Sequence, residues 1–321
     1  MFKILVSRTD NIGDVILTLP MLGIIKNHYP DCSLYFLGSN YTQPIAARCE
    51  HIDHFIAVEE LTLDSLKTLE LDVFIHVYPK KYLAVLAKKA GIPVRIGTSH
   101  RLYHWSTCNK RISFTRINSH SHEAILNLNL LEPLEISNDY SLDDLIDYTG
   151  WMTKQIKHEE LDEDKCNIIF HMKSNGNAVE WPVKDFMSLS KLMPEDTYSI
   201  YLTGTQSEKE LIESECPAIL ERVNVKDMMG QFGLDEFIDF VGSSDGLIAC
   251  STGSLHISSA NGVNTLGLYP KKRPMHSGRW SPIGRKTQII DSDLVVKENK
   301  MILELNPSDV LRVIKKWKNN R

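Results

Sequence analysis

The sequence predicts an α/β protein built from two doubly wound halves, and three observations carry that prediction. Apolar runs with few polar breaks alternate with helical spacing in the first half: FKILVS, SLYFLGS, HFIAVE and DVFIHVYP, with helical patterns between them. The alternation stops at residues 132–164, where eleven residues are Asp or Glu. It then resumes in CNIIFHMKS, TYSIYLTG, DGLIACS and TLGLYP. Uninterrupted apolar strands separated by helices imply parallel sheets covered on both faces.

Each element follows from its local pattern. FKILVS leads into VILTLPMLGIIKNHYP, read as one helix, and LDSLKTLE supplies a second. In the acidic connector, LDDLIDYTGWMTKQIK reads as a helix of sixteen residues. The second half adds helices over WPVKDFMSLSKLM and SEKELIES, followed by the run DEFIDFVGSSDGLIACS. The tail opens on a helix start signal, Asn306, Pro307 and Ser308, and ends basic. The expected domains are 1–150 and 151–305, with a terminal helix over 306–321.

Composition narrows the class. With 321 residues, 42% hydrophobic and 24% charged, the chain has material for two ordinary cores. No apolar run approaches the roughly 18–20 residues that span a bilayer, and the N-terminus turns polar too early for a secretory signal. A cytoplasmic protein is expected. The six cysteines form no CxxC or Cys/His cluster, so neither a disulfide framework nor a structural zinc site is expected.

Ligands of doubly wound sheets lie beyond the carboxyl ends of the strands, which selects three loops. In TDNIGD, Asp14 is either a helix cap or a carboxylate facing a substrate. That loop has one glycine, so the GxGxxG fingerprint of dinucleotide enzymes is absent. In HMKSNGNAVEWP, Lys173, Ser174 and the turn at 175–177 offer a cation, a hydroxyl and backbone donors suited to a pyrophosphate. The bland alternative is a polar turn before a helix. In CSTGSLH, Ser251, Thr252 and Ser254 flank a helix start, with His256 in its first turn. Such a start is either an ordinary cap or an anion site.

Residues 79–122 hold nine Lys or Arg, four His and no acid. A one-signed stretch in a chain of net charge −5 is a field aimed at an anionic partner, or else a solvated basic face. No nucleic-acid-binding motif accompanies it, and no nucleic-acid partner is expected. A phosphorylated acceptor and an anionic membrane surface both fit.

Together the loops resemble glycosyltransferase family 9, the ADP-heptose:lipopolysaccharide heptosyltransferases. The family's R-x-D-x-I-G-D-V-x-x-T-x-P pattern reads here from Arg8 to Pro20. RIGT and HEAILNLNLLEPL resemble its link into the connector, HMKSNGNAVEWP its phosphate loop, and LTGTQSEKE, with Gly204 and Glu208, its glycine-to-glutamate turn. Its D-T-G-x-x-H motif is Ser251 to His256 here. The resemblance runs through nearly the whole chain in the family's order.

The resemblance implies a GT-B fold, two Rossmann-like domains facing across a cleft, with the terminal helix packing back on the first domain. It implies an inverting transferase that needs no metal and moves heptose from ADP-heptose to the anionic inner core of lipopolysaccharide. Asp14 would be the general base. Gly13, Lys173, Ser174, Gly204, Glu208, Ser251, Thr252, Gly253 and His256 would serve the donor. Arg101, Lys110 and Arg111 would face the acceptor, with peripheral contact at the inner membrane. Ser251 stands where the family has an aspartate, which leaves open another nucleotide sugar and another glycan. A non-catalytic nucleotide-sugar binder is the third reading.

Overall fold

The computed structural model describes residues 1–116, 119–154, 156–297 and 299–317. The chain divides into two compact units, Met1–Met152 and Thr153–Arg321.

The first unit carries β1 (Lys3–Ser7), β2 (Ser33–Gly38), β3 (His54–Ala57), β4 (Val73–His76), β5 (Val94–Thr98) and β6 (Lys110–Ile112). They form one parallel sheet in the order β3-β2-β1-β4-β5-β6. Ile4, Leu5 and Val6 of β1 are fully buried, as a central strand covered on both faces requires. The winding reverses between β1 and β4, which opens a crevice at their carboxyl ends.

The second unit repeats this topology. Its strands are β7 (Cys166–His171), β8 (Tyr198–Leu202), β9 (Val225–Asp227), β10 (Gly246–Cys250), β11 (Asn264–Pro270) and β12 (Thr287–Ser292). The parallel order is β12-β11-β10-β7-β8-β9, so the reversal lies between β7 and β10. A hairpin of β13 (Leu294–Lys297) and β14 (Lys300–Leu303) follows, joined to the unit by Leu303 N–H donating to the Glu180 carbonyl at 3.0 Å.

Three sequence expectations are corrected. The first long helix is two, Ile12–Ile16 and Leu19–His28, because Pro20 has no N–H to continue the ladder and its ring crowds the preceding turn. The connector helix stops at Ile146. Gly150 then takes φ +59°, where a Cβ would meet the His51 ring at 2.3 Å. The segment is drawn onto the first unit by Glu50 N–H to Gly150 O (2.9 Å) and Met152 N–H to Arg48 O (2.7 Å), which moves the boundary to 152.

The third correction concerns the terminal helix, Pro307–Trp317. Val310, Leu311, Ile314 and Trp317, spaced to one face, are buried in the hydrophobic core of the second unit. The apolar face that was expected to dock on the first domain is therefore covered within the second.

Candidate active site

In the first unit the loop leaving β1 carries Arg8, Asp10 and Asp14. Asn11 occupies the cap position of helix Ile12–Ile16, and Asp14 lies in its first turn. Asp14 is therefore not the cap. Its carboxylate is ion-paired with the Arg8 guanidinium, and the Asn11 amide approaches its other oxygen at 3.5 Å. Thr18 Oγ1 donates to the Asp14 carbonyl at 2.8 Å, tying this turn to the start of the next helix.

Arg8 is buried and orders the whole loop. Its Nε donates to Asp10 at 2.8 Å and its Nη1 to Glu123 at 3.3 Å. Glu123 also accepts from Arg116 Nε at 2.8 Å, and Arg116 Nη2 donates to Asn127 Oδ1 at 2.8 Å. Burial disfavours the Arg8 charge, but Asp14, Asp10 and Glu123 outweigh it and hold the guanidinium above its ordinary value. Asp10 is pushed up to about 6, chiefly by burial, with the Asp14 charge adding and Arg8 opposing. Asp14 is thus a carboxylate locked by a cation while about 14% of its side chain stays exposed.

In the second unit, the loops after β7 and β10 meet at the reversal of the sheet, since Ala249 pairs with His171. Thr252 caps helix Gly253–Ala260 through extended backbone, and its hydroxyl bonds to Ser254 Oγ at 2.6 Å rather than to an amide. The first-turn amides of such a helix have no intrahelical acceptor and form a positive end suited to a phosphate. His256 is buried within that helix. The buried Tyr269 phenol donates to the Trp280 carbonyl at 2.7 Å; burial pushes its pKa up, and the nearby Ser251 hydroxyl opposes that. The neighbouring Cys250 thiol is pushed up to about 12 by burial and accepts from Trp181 N–H at 3.2 Å, so it is no nucleophile.

Lys173 and Ser174 are placed beside this helix start but face inward. The Lys173 amine donates to both Glu215 oxygens at 2.8 Å and to Glu180 at 3.3 Å. Ser174 gives its backbone N–H and its hydroxyl to Glu180 Oε1, both at 2.8 Å. The cation expected to meet a diphosphate is thus held by two carboxylates. Thr205 caps helix Gln206–Glu215 in a capping box with Glu208, whose Oε2 accepts from Thr205 N–H at 2.7 Å, and a Cβ on Gly204 would touch that oxygen at 3.0 Å.

Arg101, Lys110 and Arg111 all lie at the far edge of the first sheet. Lys110 and Arg111 are on edge strand β6, three strand spacings from β1, or roughly 14 Å across. Among the described residues, no three His, Cys, Asp or Glu side chains group so as to hold a metal ion.

The profile described as glycosyltransferase family 9 (heptosyltransferase) matches residues 63–305. The chain belongs to glycosyltransferase family 9. A Haemophilus influenzae protein described provisionally as a glycosyltransferase is 27% identical, over 95% of this chain and 93% of its own. Among solved structures, a family 9 glycosyltransferase of Veillonella parvula superposes with TM-score 0.79 at 18% identity, covering 100% of this chain and 98% of that one. The E. coli ADP-heptose lipopolysaccharide heptosyltransferase II gives 0.78 at 16%, covering 100% and 99%. E. coli heptosyltransferase WaaC with ADP-2-deoxy-2-fluoro heptose gives 0.69 at 14%, covering 98% and 99%.

These likenesses bear out the GT-B fold. The family 9 match contains all the second-unit loops but begins downstream of Asp14. Sequence reasoning passed over Glu123, Arg116, Glu180, Glu215 and Tyr269. Glu123 carried a legible signal, being the first acid after Asp72 and following the basic stretch. The others act through side-chain contacts that no local pattern marks, from seven residues away for Arg116 and Glu180 to 42 for Glu215.

Proposed function

We propose that this family 9 glycosyltransferase moves heptose from ADP-heptose to the anionic inner core of lipopolysaccharide, with inversion at the anomeric carbon. The observation that carries the reaction type is the Asp14 carboxylate, held by Arg8 at the ligand end of β1 and still partly exposed. The names of the solved heptosyltransferases support the donor class.

In this reading an acceptor hydroxyl attacks the anomeric carbon on the face opposite the diphosphate. Asp14 takes the hydroxyl proton, the new glycosidic bond forms, and the bond to the diphosphate oxygen breaks. Gly13, which has no side chain, leaves room for the acceptor beside that carboxylate. ADP leaves with its charge stabilised by the amides and hydroxyls at Thr252 and Gly253, by His256, and with no metal. Ser251 faces the donor sugar. Lys173 joins the diphosphate only by leaving Glu215. Arg101, Lys110 and Arg111 attract the anionic acceptor at a distance from the reacting hydroxyl.

Asp14→Asn tests the base. ADP binding by calorimetry should be retained while transfer falls by about 10²–10⁴-fold. A variant keeping most of its turnover removes the assignment. One observation favours a different sugar on the same machinery: position 251 is a serine, so no carboxylate stands there for sugar hydroxyls. A panel of nucleotide sugars scored by thermal stabilisation separates the two, since the true donor raises native-state stability most.

A further inference from the structure

The loop between β5 and β6 combines features that an anionic carbohydrate alone does not require. Leu102 is 88% exposed and Trp105 61% exposed, in a stretch of the chain whose charged side chains are all basic. The Trp105 indole is fixed at both ends. Its N–H donates to the Ser99 carbonyl at 3.0 Å, and the Arg111 guanidinium lies 4.8 Å from the ring centroid. Arg111 is itself held by a 2.7 Å bond to the Cys108 carbonyl. Lys88, from the preceding helix, reaches the same loop through a 2.8 Å bond to the Ser106 carbonyl. Trp105, Lys110 and Arg111 line an open cavity of about 440 Å³, with Glu132 the one acid on its wall among the described residues.

We propose that this loop docks the protein on an anionic lipid bilayer, with Leu102 and Trp105 entering the headgroup layer and Lys88, Arg101, Lys110 and Arg111 meeting lipid phosphates. Exposed apolar tips ringed by cations are what an interface of headgroups and acyl chains rewards, whereas nucleic acid or an acidic glycan would leave Leu102 without a partner. The indole N–H already has its acceptor, so the ring enters without stranding a donor. The surface lies roughly 14 Å along the sheet from the Asp14 loop, which keeps that loop clear of the lipid. The inference does not depend on which sugar is transferred.

Co-sedimentation of the full chain with sucrose-loaded vesicles tests it. Binding should be strong to phosphatidylcholine mixed with phosphatidylglycerol at low salt, and about tenfold or more weaker to phosphatidylcholine alone. Reversing Lys110 and Arg111 to Glu should weaken binding by about tenfold or more. Leu102→Ser with Trp105→Ser, which leaves every charge in place, should also weaken it several-fold. Brominated lipid should quench tryptophan fluorescence in wild type and quench it less in Trp105→Phe, a variant that keeps an aromatic ring in place. Equal binding to both vesicle types, or none, overturns the proposal. So does an unaffected serine variant, or tight binding to heparin with no lipid-induced quenching. Lys110 and Arg111 also serve the acceptor in the reading above, so the serine variant, which keeps every charge, isolates the lipid contact, while the reaction type is judged by Asp14→Asn without vesicles.

Discussion

Arg8 and Glu123 stand 115 residues apart in sequence and meet at 3.3 Å, both side chains almost fully buried. Glu123 also receives Arg116, so one carboxylate balances two guanidiniums behind the loop that presents Asp14. Glu123→Gln removes that charge without changing volume. It should cost about 1–3 kcal/mol of stability, because Arg8 loses one of three carboxylate partners and Arg116 loses its ion pair. Transfer should fall as well, since Arg8 would be free to shift Asp14. Urea midpoints and turnover check this together; an unchanged midpoint would show that the network does not hold the loop.

The pH dependence of stability should carry a mark of Asp10. Its folded pKa, about 6, lies above the ordinary 3.8, with burial the main cause. The native state therefore holds a proton between pH 4 and 6 that the unfolded chain has released. Stability must fall as pH rises through that window and level off above it, by about 2–3 kcal/mol in all. Asp10→Asn cannot titrate. The difference in unfolding free energy between wild type and variant should drift across pH 4–6.5 and be flat from 7 to 8. A constant difference would show that Asp10 titrates normally.

Much of this architecture was legible because its causes are local. An uninterrupted run such as KILVS has one stable place, the middle of a parallel sheet, and both halves announced themselves that way. The loops were legible too, since strand ends at a sheet reversal are fixed once the strands are. What failed was either a local break or a distant partner. Pro20 split a helical pattern that was correct on both sides of the break, whereas past Ile146 the connector pattern gave way to a chain that Gly150 and Met152 tie to the first unit. Lys173 looked like a cation facing an anion because Glu180 and Glu215, seven and 42 residues away, decide where it points. Short β6 and β9 were missed because three residues at a sheet margin carry too little pattern.

Lys173 offers a direct test of whether its internal pairing survives donor binding. Glu215 is 39% and Glu180 27% exposed, so solvent compensates part of a lost cation. Lys173→Met should cost about 1–2 kcal/mol, less than a fully buried pair. If the amine stays on its carboxylates, ADP affinity measured by calorimetry should change by less than about threefold. A loss of about tenfold or more would mean that the lysine swings to the diphosphate, since a charge-assisted contact is worth that much.

The seating of the terminal helix includes one contact that a double-mutant cycle can isolate. A Cβ on Gly246, at the start of β10, would lie 2.4 Å from Cε3 and Cζ3 of Trp317. The indole N–H donates to Gln288 Oε1 at 2.8 Å, which stops the ring from sliding aside. Gly246→Ala should therefore cost about 1–3 kcal/mol by overpacking, and Trp317→Ala about 3–5 kcal/mol by leaving a cavity. In the Trp317→Ala background the alanine at 246 has room, so its cost should nearly vanish and the cycle should show a coupling of about 1–3 kcal/mol. Additive costs would mean that the two groups do not touch. The helix would then be seated on the second unit by Val310, Leu311 and Ile314 without Trp317.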